Sequence, residues 1–290
     1  MEKCLVTKLQ GKVSGDLPYF GALKITVKKT DNIALATQRR LVLRTADDNC
    51  HIFTADGSSK LSDKEDLSNP SSSFVFKNMY RPSSSDNKRE IYFLDGDYTV
   101  YITSKYNIKL LGNWGETCNF LYDIDELKYS HLLSNLRIQY SNTTGDISSL
   151  SGLTALTNLE LYNLNVTGDI SSLSGLTKLA NLALDNLNVT GDISSLRGLT
   201  ALTYLKMSNA KNTGTFESHV SALSAKRTSG SCIYWLSGSN ITYKGERWIT
   251  GKKLVEFNSV GCEVYDYSTD SKGSKIASYV KSTNTWSYNN

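Results

Sequence analysis

The hydrophobic positions in the middle of this 290-residue chain recur with a period of 23 residues. Between roughly Tyr122 and Leu236, Leu and Ile return at the same points of about five successive units. The fifteen residues Asn163–Thr177 (NLNVTGDISSLSGLT) return at Asn186–Thr200 with one difference, Arg197 in place of Ser174. Such a period predicts a solenoid, because each unit can bury its apolar side chains only against the next one.

Within a unit the apolar spacing is L-x-x-L-x-L, followed by a turn and a second apolar segment, as in LTNLELYNLNVTGDISSLSGL (Leu156–Leu176). This segment resembles the leucine-rich repeat, and its TGDI portion is similar to the bacterial type of unit. The resemblance implies a solenoid whose short parallel strands point leucines inward and form a concave sheet face. The chain departs from the usual pattern by placing asparagines one position earlier, at Asn163, Asn186 and Asn209.

Three units repeat Thr-Gly-Asp before the second apolar segment. Gly tolerates a positive φ and Asp commonly accepts hydrogen bonds from nearby backbone amides, so this tripeptide predicts a turn. The aligned aspartates could instead hold a hard cation such as calcium, although calcium takes about six or more oxygen ligands. We favour turn capping, and cation binding stays open. The aligned aspartates are Asp123, Asp146, Asp169 and Asp192.

The flanks of the repeats predict two further regions. Residues 1–115 contain alternating segments such as ALKITVKK (22–29) and predict a β-rich, sandwich-like domain. REIYFLDGDYTVYITS predicts a hairpin that turns at Asp95-Gly96, and a short strand is expected at Phe74–Phe76. Residues 116–236 are the predicted solenoid, and residues 237–290 are expected to cap it.

The residues between and just after the strand leucines are predicted to face outward on the concave side of the solenoid. Solenoids commonly bind partners on such a surface. Five strands at the usual spacing make a platform about 20 Å wide, enough for a short peptide or several sugar rings. The candidate partner-binding residues are Arg137, Glu160, Tyr162, Asp185, Tyr204 and Lys206.

Composition and motifs argue against several functions. The net charge of +4 is spread along the chain, so the sequence lacks the basic footprint that nucleic acid binding requires. The three histidines, His51, His131 and His219, have no nucleophile or carboxylate at an interpretable spacing. The five cysteines lack a C-x-x-C pair, so we expect free thiols. We therefore predict neither catalysis nor a cofactor nor a metal.

No apolar stretch approaches the length of a membrane span, and the opening MEKCLVTKLQ lacks the apolar run of a signal peptide. The compartment is unknown from the residues, and the family resemblance implies a cell-surface or secreted protein.

Two functional hypotheses follow. The first is a non-enzymatic bacterial protein that recognises a protein or carbohydrate partner through the concave face. The second is a structural component of a phage particle or bacterial surface assembly, in which the repeats serve oligomerisation. The overall organisation is similar to that of repeat proteins of gut bacteria and their prophages, and for the first hypothesis this resemblance implies a host or cell-surface partner. The second hypothesis would be favoured by an uncovered terminal coil or edge strand.

Overall fold

The computed structural model describes residues 23–27, 40–45, 52–54, 60–61, 76–80, 88–93, 98–102, 108–112, 120–121, 123–139, 141–248, 251–268 and 271–289. Within these residues a sheet of thirteen strands runs through the molecule, and a five-stranded sheet accompanies it at the N-terminal end. Parallel strands occupy the middle of the long sheet, and antiparallel strands flank them on both sides.

Within the described residues, nine strands precede the repeats, in agreement with the predicted β-rich region. They are β1 (Leu23–Val27), β2 (Arg40–Thr45), β3 (Ile52–Thr54), β4 (Lys60–Leu61), β5 (Phe76–Tyr80), β6 (Lys88–Phe93), β7 (Tyr98–Ile102), β8 (Ile108–Gly112) and β9 (Phe120–Leu121). The alternation predicted for β1 is confirmed, since Leu23 and Ile25 are buried and Lys24 is exposed. The strand expected at Phe74–Phe76 is described only from Phe76, where β5 begins.

The predicted hairpin at Asp95-Gly96 is wrong, because its two strands lie in different sheets. β6 pairs with β2 and β5 in the long sheet, whereas β7 pairs with β1 and β3 in the five-stranded sheet. The β1–β7 register sets Ile25 opposite Val100, and both side chains are fully buried. Apolar pairing between distant strands thus overrides the local turn signal. Asp95 and Gly96 lie outside the described residues.

The repeats form the predicted parallel strands, of which β10 to β13 follow the 23-residue period and β14 follows β13 after 29 residues. The strands are β10 (Asn135–Gln139), β11 (Asn158–Tyr162), β12 (Asn181–Asp185), β13 (Tyr204–Lys206) and β14 (Ser231–Trp235). Leu136 pairs with Leu159, Leu159 with Leu182, and Leu182 with Leu205, so equivalent leucines align in one column. These four leucines are fully buried, and together they form a continuous apolar core. β8 also pairs in parallel with β10, and it joins the solenoid to the N-terminal strands.

A short helical turn closes each coil on the side opposite the strands. Four 3₁₀ helices span Ile124–Leu127, Ile147–Leu150, Ile170–Leu173 and Ile193–Gly198. In the next unit an α-helix, α1 (Phe216–Ser224), takes this place. Phe216, Val220 and Leu223 follow helical spacing and are fully buried, and Thr215 caps the helix by accepting from the Ser218 amide at 3.1 Å.

The Thr-Gly-Asp turns link neighbouring coils through both backbone and side chains. Gly168 has φ +105°, and a Cβ placed there would lie 2.5 Å from Oδ1 of Asp146 in the preceding coil. Thr167 and Asp146 form a parallel bridge, and the Ile147 amide donates to the Thr167 carbonyl at 2.9 Å. The glycine is therefore required by its dihedral angle and by the carboxylate packed against it. This contact repeats at Gly191 and Gly214.

The asparagines that depart from the family pattern occupy left-handed backbone positions. Asn163, Asn186 and Asn209 have φ of 54°, 52° and 51°, a region that Asn tolerates better than most residues. Asn186 Nδ2 donates to Asn163 Oδ1 at 2.7 Å, so one carboxamide bonds the next. Leu164 and Leu187 fill the usual asparagine position and are buried.

Antiparallel strands continue the sheet beyond the last coil. A two-stranded ribbon, β15 (Thr242–Tyr243) and β16 (Glu246–Arg247), precedes β17 (Lys252–Phe257), β18 (Gly261–Ser268), β19 (Ser271–Val280) and β20 (Thr285–Tyr288). β17 pairs with β14, so this region extends the solenoid sheet directly. Of the five cysteines, Cys232 and Cys262 are described, and both are free and buried. Among the described residues, no helix combines the length and apolar character needed to cross a membrane.

Candidate functional site

The concave face is defined here as the side chains of β10–β14 that point away from the buried leucines. Because the strands are in register, these side chains form three rows across the sheet. The first row is Asn135, Asn158, Asn181, Tyr204 and Ile233. The second row is Arg137, Glu160, Ala183, Lys206 and Trp235. The third row is Gln139, Tyr162 and Asp185.

One group of connected side chains surrounds Glu160. Arg137 Nη1 lies 3.0 Å from Glu160 Oε2, and the Tyr162 hydroxyl donates to the same oxygen at 3.3 Å. Asn158 Nδ2 donates to Glu160 Oε1 at 3.0 Å. Burial, with the nearby Glu160 charge, raises the pKa of Tyr162 well above its ordinary value, so its phenol remains a donor. Three donors therefore hold the Glu160 carboxylate in one orientation.

A second group surrounds Lys206, one strand beyond Asp185. Lys206 Nζ lies 2.5 Å from Asp185 Oδ2, and both side chains are about 14% exposed. The same ammonium lies 5.1 Å from the centroid of the Tyr162 ring and 4.4 Å from that of Trp235. Lys252 Nζ lies 4.9 Å from the Trp235 ring. Since β13 and β17 flank β14, ammonium groups from both neighbouring strands contact this indole within cation–π distance.

A concavity of about 310 Å³ lies beside the second group, at the C-terminal end of the third row. Its walls include Asp185, Lys206, Ser208 and Trp235, with Asn186 and Asn209 from the turns that follow β12 and β13. Asp185 Oδ1 and Ser208 Oγ are buried, and neither has a hydrogen-bond partner among the residues that the structure describes. The same holds for Arg137 Nε and Asn158 Oδ1 in the first group. Buried polar atoms are normally paired. Of seven unpaired ones in the part of the chain that the structure describes, four lie on this face, and the other three are Asn212 Oδ1, Ser224 Oγ and the Tyr243 hydroxyl.

All six residues predicted as partner-binding lie on the concave face. Arg137, Glu160 and Tyr162 belong to the first connected group, and Asp185 and Lys206 to the second. Tyr204 stands in the first row beside Asn181. Their contact with a partner stays a prediction, because the geometry gives their position and their mutual contacts only.

Trp235 and Ser208 are not among the binding residues predicted from the sequence. Trp235 pairs with Lys206, yet the two are 29 residues apart, which is 6 more than the period of 23. The extra residues accommodate α1. Because of them, Trp235 does not align at the 23-residue period with Arg137, Glu160, Ala183 and Lys206, the other members of its row. For Ser208, the 6% exposure and the unpaired hydroxyl could not be read from the alignment.

The aligned aspartates cap the 3₁₀ helices, which confirms the turn-capping interpretation. Asp146 Oδ1 accepts from the Ser148 amide at 2.8 Å, and Asp169 and Asp192 accept equivalently at 2.8 and 2.7 Å. Asp123 accepts from the Asp125 amide at 2.9 Å. The hydrogen bonds from Ser148 lower the pKa of Asp146. Within the described residues, no three His, Cys, Asp or Glu side chains gather as a potential metal site.

A larger concavity, of about 630 Å³, lies near the C-terminal cap between Glu217, Lys244, Trp286 and Tyr288, among others. Its polar groups are used within the protein. Glu217 Oε1 accepts from the Lys244 amide at 2.7 Å and from the Tyr288 hydroxyl at 3.1 Å, and Trp286 Nε1 donates to Ser221 Oγ at 2.9 Å. We attribute this concavity to packing of the cap on α1.

His219 is a core residue. Its Nδ1 lies 3.0 Å from the Ile193 carbonyl oxygen and its Nε2 lies 3.3 Å from the Tyr234 hydroxyl. Burial lowers the pKa of His219 to about 4, so the ring is neutral near pH 7. His131 lies at the surface, with Nδ1 3.3 Å from the Gly152 carbonyl oxygen. His51 lies outside the described residues. Neither described histidine is placed beside a nucleophile by these contacts.

The 23-residue ladder of parallel strands, with inward leucines and a polar outer face, defines this part of the chain as a leucine-rich-repeat solenoid. No protein-family model matches the chain, and no curated protein matches it.

The three solved structures that follow are each similar to less than half of the chain. A plant peptide hormone receptor, RGFR1 in complex with RGF2, is 26% identical over 40% of this chain and 18% of its own, with a TM-score of 0.32. An internalin, InlF from Listeria monocytogenes, is 24% identical over 46% and 36%, with a TM-score of 0.35. The BIR2 ectodomain from Arabidopsis thaliana is 19% identical over 48% and 73%, with a TM-score of 0.37. The chain thus spans about a fifth of the receptor's length.

Proposed function

We propose that this protein is a non-enzymatic binding protein that holds a polypeptide segment of its partner against the concave face. The observation that carries the proposal is the set of four buried polar atoms on that face without a protein partner: Arg137 Nε, Asn158 Oδ1, Asp185 Oδ1 and Ser208 Oγ. A buried polar atom left unpaired costs about 1–3 kcal/mol, and a bound ligand that supplies its partner removes this cost.

The arrangement of charge on the face also favours a polypeptide. Arg137–Glu160 and Lys206–Asp185 are internal ion pairs, so the face offers fixed donors and acceptors without a strong net charge. A peptide backbone presents alternating amide donors and carbonyl acceptors that can meet both kinds of atom. Tyr162 and Trp235 add apolar area next to these polar groups, as is common in protein recognition sites. A glycan is the other ligand class consistent with these groups.

Binding of the wild type to paired peptide and glycan arrays tests the proposal, with Arg137→Ala/Tyr204→Ala as the altered protein. The matched control is Arg197→Ala/Tyr129→Ala, which removes the same two residue types at exposed positions away from the concave face. We expect the wild type to bind peptides and Arg137→Ala/Tyr204→Ala to bind them more weakly. The control Arg197→Ala/Tyr129→Ala should bind peptides as the wild type does. Binding to glycans but not to peptides would show that the partner is a carbohydrate and not a polypeptide. Equal binding by the three proteins would place the site elsewhere.

One observation supports assembly as a second candidate function. β20 is the last strand of the long sheet, and among the described strands it pairs only with β19. An unpaired strand edge can add a strand from another chain. Light scattering of the purified protein over a range of concentrations tests this function. An oligomer that Ser287→Pro dissociates would support it, and a monomer at all concentrations would contradict it.

A further inference from the structure

The concavity at Asp185 and Ser208 combines acceptor and donor capacity that no protein group uses. Ionised Asp185 can only accept, and its Oδ1 is buried without a donor while Oδ2 contacts Lys206. The Ser208 hydroxyl can donate and accept, and it is unpaired although the residue is only 6% exposed. A ligand group must donate to Asp185 Oδ1, and if it also accepts from Ser208 Oγ it uses the hydroxyl hydrogen as well.

The charges around the concavity favour an uncharged ligand group. Asp185 and Lys206 already neutralise each other at 2.5 Å. A ligand cation at Asp185 would lie close to the ammonium of Lys206, which also lines the concavity. A ligand carboxylate would meet the unpaired oxygen of Asp185. Either charged group would therefore face a like charge in a partly buried site, which is unfavourable.

The size of the concavity limits the ligand group further. A volume of about 310 Å³ is at the lower end of the range for small-ligand sites, so it suits one side chain and its neighbouring backbone. A planar carboxamide carries an N–H donor and a C=O acceptor side by side. Such a group matches the two unpaired atoms in kind, a donor for Asp185 Oδ1 and an acceptor for the Ser208 hydroxyl, and both residues line the concavity.

We propose that this concavity is a specificity pocket for the carboxamide of an Asn or Gln side chain in the bound polypeptide. The proposal rests on the proposed function, since it assigns one anchor residue to the ligand of the concave face. The asparagines of the turns show the same chemistry within the protein, because Asn186 already donates to the carboxamide of Asn163 at 2.7 Å. Asn209, which lines the concavity, offers a further carboxamide at its rim.

Capped amino acids test the pocket without knowledge of the natural partner. The probes are the N-acetyl N-methylamides of asparagine, glutamine, aspartate and leucine, so that a primary carboxamide is present only in the Asn and Gln side chains, with N-acetylglucosamine as a carbohydrate arm. Binding to the full-length protein is followed by the indole N–H resonances in ¹H–¹⁵N spectra, and Trp235→Phe assigns the signal of Trp235. The variants are Ser208→Ala and, as a matched control, Ser174→Ala, which removes an exposed hydroxyl from a 3₁₀ helix C-cap.

We expect the asparagine or glutamine probe to shift the Trp235 signal and the aspartate and leucine probes to bind at least about fivefold more weakly, since each loses a hydrogen bond. Ser208→Ala should weaken the carboxamide probe by about fivefold, and Ser174→Ala should leave it unchanged. Equal binding of the leucine probe, binding of the sugar alone, or no shift of Trp235 by any probe would overturn the pocket.

The outcome is separable from that of the proposed function. If array peptides bind in a way that depends on Arg137 and Tyr204 but not on Ser208, the concave-face function stands and the pocket fails. If the arrays show no dependence on Arg137 and Tyr204, the concave-face function itself fails.

Discussion

Replacing Gly168 with alanine should destabilise the solenoid strongly, although the change adds only one methyl group. The new Cβ would lie 2.5 Å from Asp146 Oδ1 and 2.8 Å from its Cγ, and the backbone would have to hold φ +105°. The strained dihedral costs about 1–3 kcal/mol. Displacement of the Asp146 carboxylate from the Ser148 amide adds about 1 kcal/mol through the lost cap. The expected total is about 2–4 kcal/mol.

Gly175→Ala is the matched control in the same coil. A Cβ at Gly175 would have no atom within 4 Å, so the free energy of unfolding should change by less than about 1 kcal/mol. Urea denaturation followed by circular dichroism gives both values, and thermal unfolding should show Gly168→Ala about 5–15 °C below the wild type.

A double variant identifies the cause of the Gly168 effect. If the Asp146 carboxylate is the obstacle, Asp146→Ala/Gly168→Ala should lose less free energy than the sum of the two single changes. A Gly168→Ala protein as stable as Gly175→Ala would refute the account of how one coil positions the next.

Two further predictions concern the core. Leu182→Ala, at a fully buried position of β12, should lower the free energy of unfolding measured in urea by about 2–5 kcal/mol. Leu132→Ala, at a residue that is 44% exposed, should lower it far less. Equal decreases for the two variants would contradict the assigned core. His219 has a pKa of about 4 when folded and 6.5 ordinarily, so the unfolded chain gains a proton at higher pH. The stability associated with neutral His219 should therefore be complete above about pH 6.5 and fall by about 3 kcal/mol as the pH drops to about 4. The free energy of unfolding of the wild type, measured across this pH range, should show the loss. In His219→Gln the free energy of unfolding should depend less on pH. The same pH profile for both proteins would contradict the burial of this imidazole.

The repeats could be predicted from sequence because each column of the alignment reports the same environment several times. Leu136, Leu159, Leu182 and Leu205 share one column and one buried position. Their alternation with outward residues also placed Glu160 and Tyr162 on the concave face. Periodicity thus fixed both the core and the orientation of the strands relative to it.

The N-terminal pairing could not be predicted because it depends on distant residues. Asp95-Gly96 is a strong local turn signal, yet Val100 pairs with Ile25, seventy-five residues earlier in the chain. A single sequence carries local turn preferences directly, whereas the choice between two sheets depends on which apolar faces meet. The hairpin prediction failed for this reason.

The second half of the candidate site was hidden by an interruption of the period. α1 lengthens the step from Lys206 to Trp235, so the indole that contacts both Lys206 and Lys252 fell outside the aligned columns. The unpaired hydroxyl of Ser208 depends on the positions of neighbouring coils, which no spacing rule supplies. Asn163, Asn186 and Asn209 adopt a positive φ. This explains in terms of backbone conformation why asparagine occurs at these positions, which the family pattern did not suggest.

Calorimetric titration of an array-selected peptide tests the central claim most directly. The peptide should bind the wild type and the Arg197→Ala/Tyr129→Ala control with affinities equal within about twofold, and bind Arg137→Ala/Tyr204→Ala at least about tenfold more weakly, a loss of about 1.4 kcal/mol. Equal affinity for all three folded proteins would show that the concave face is not where this protein holds its partner.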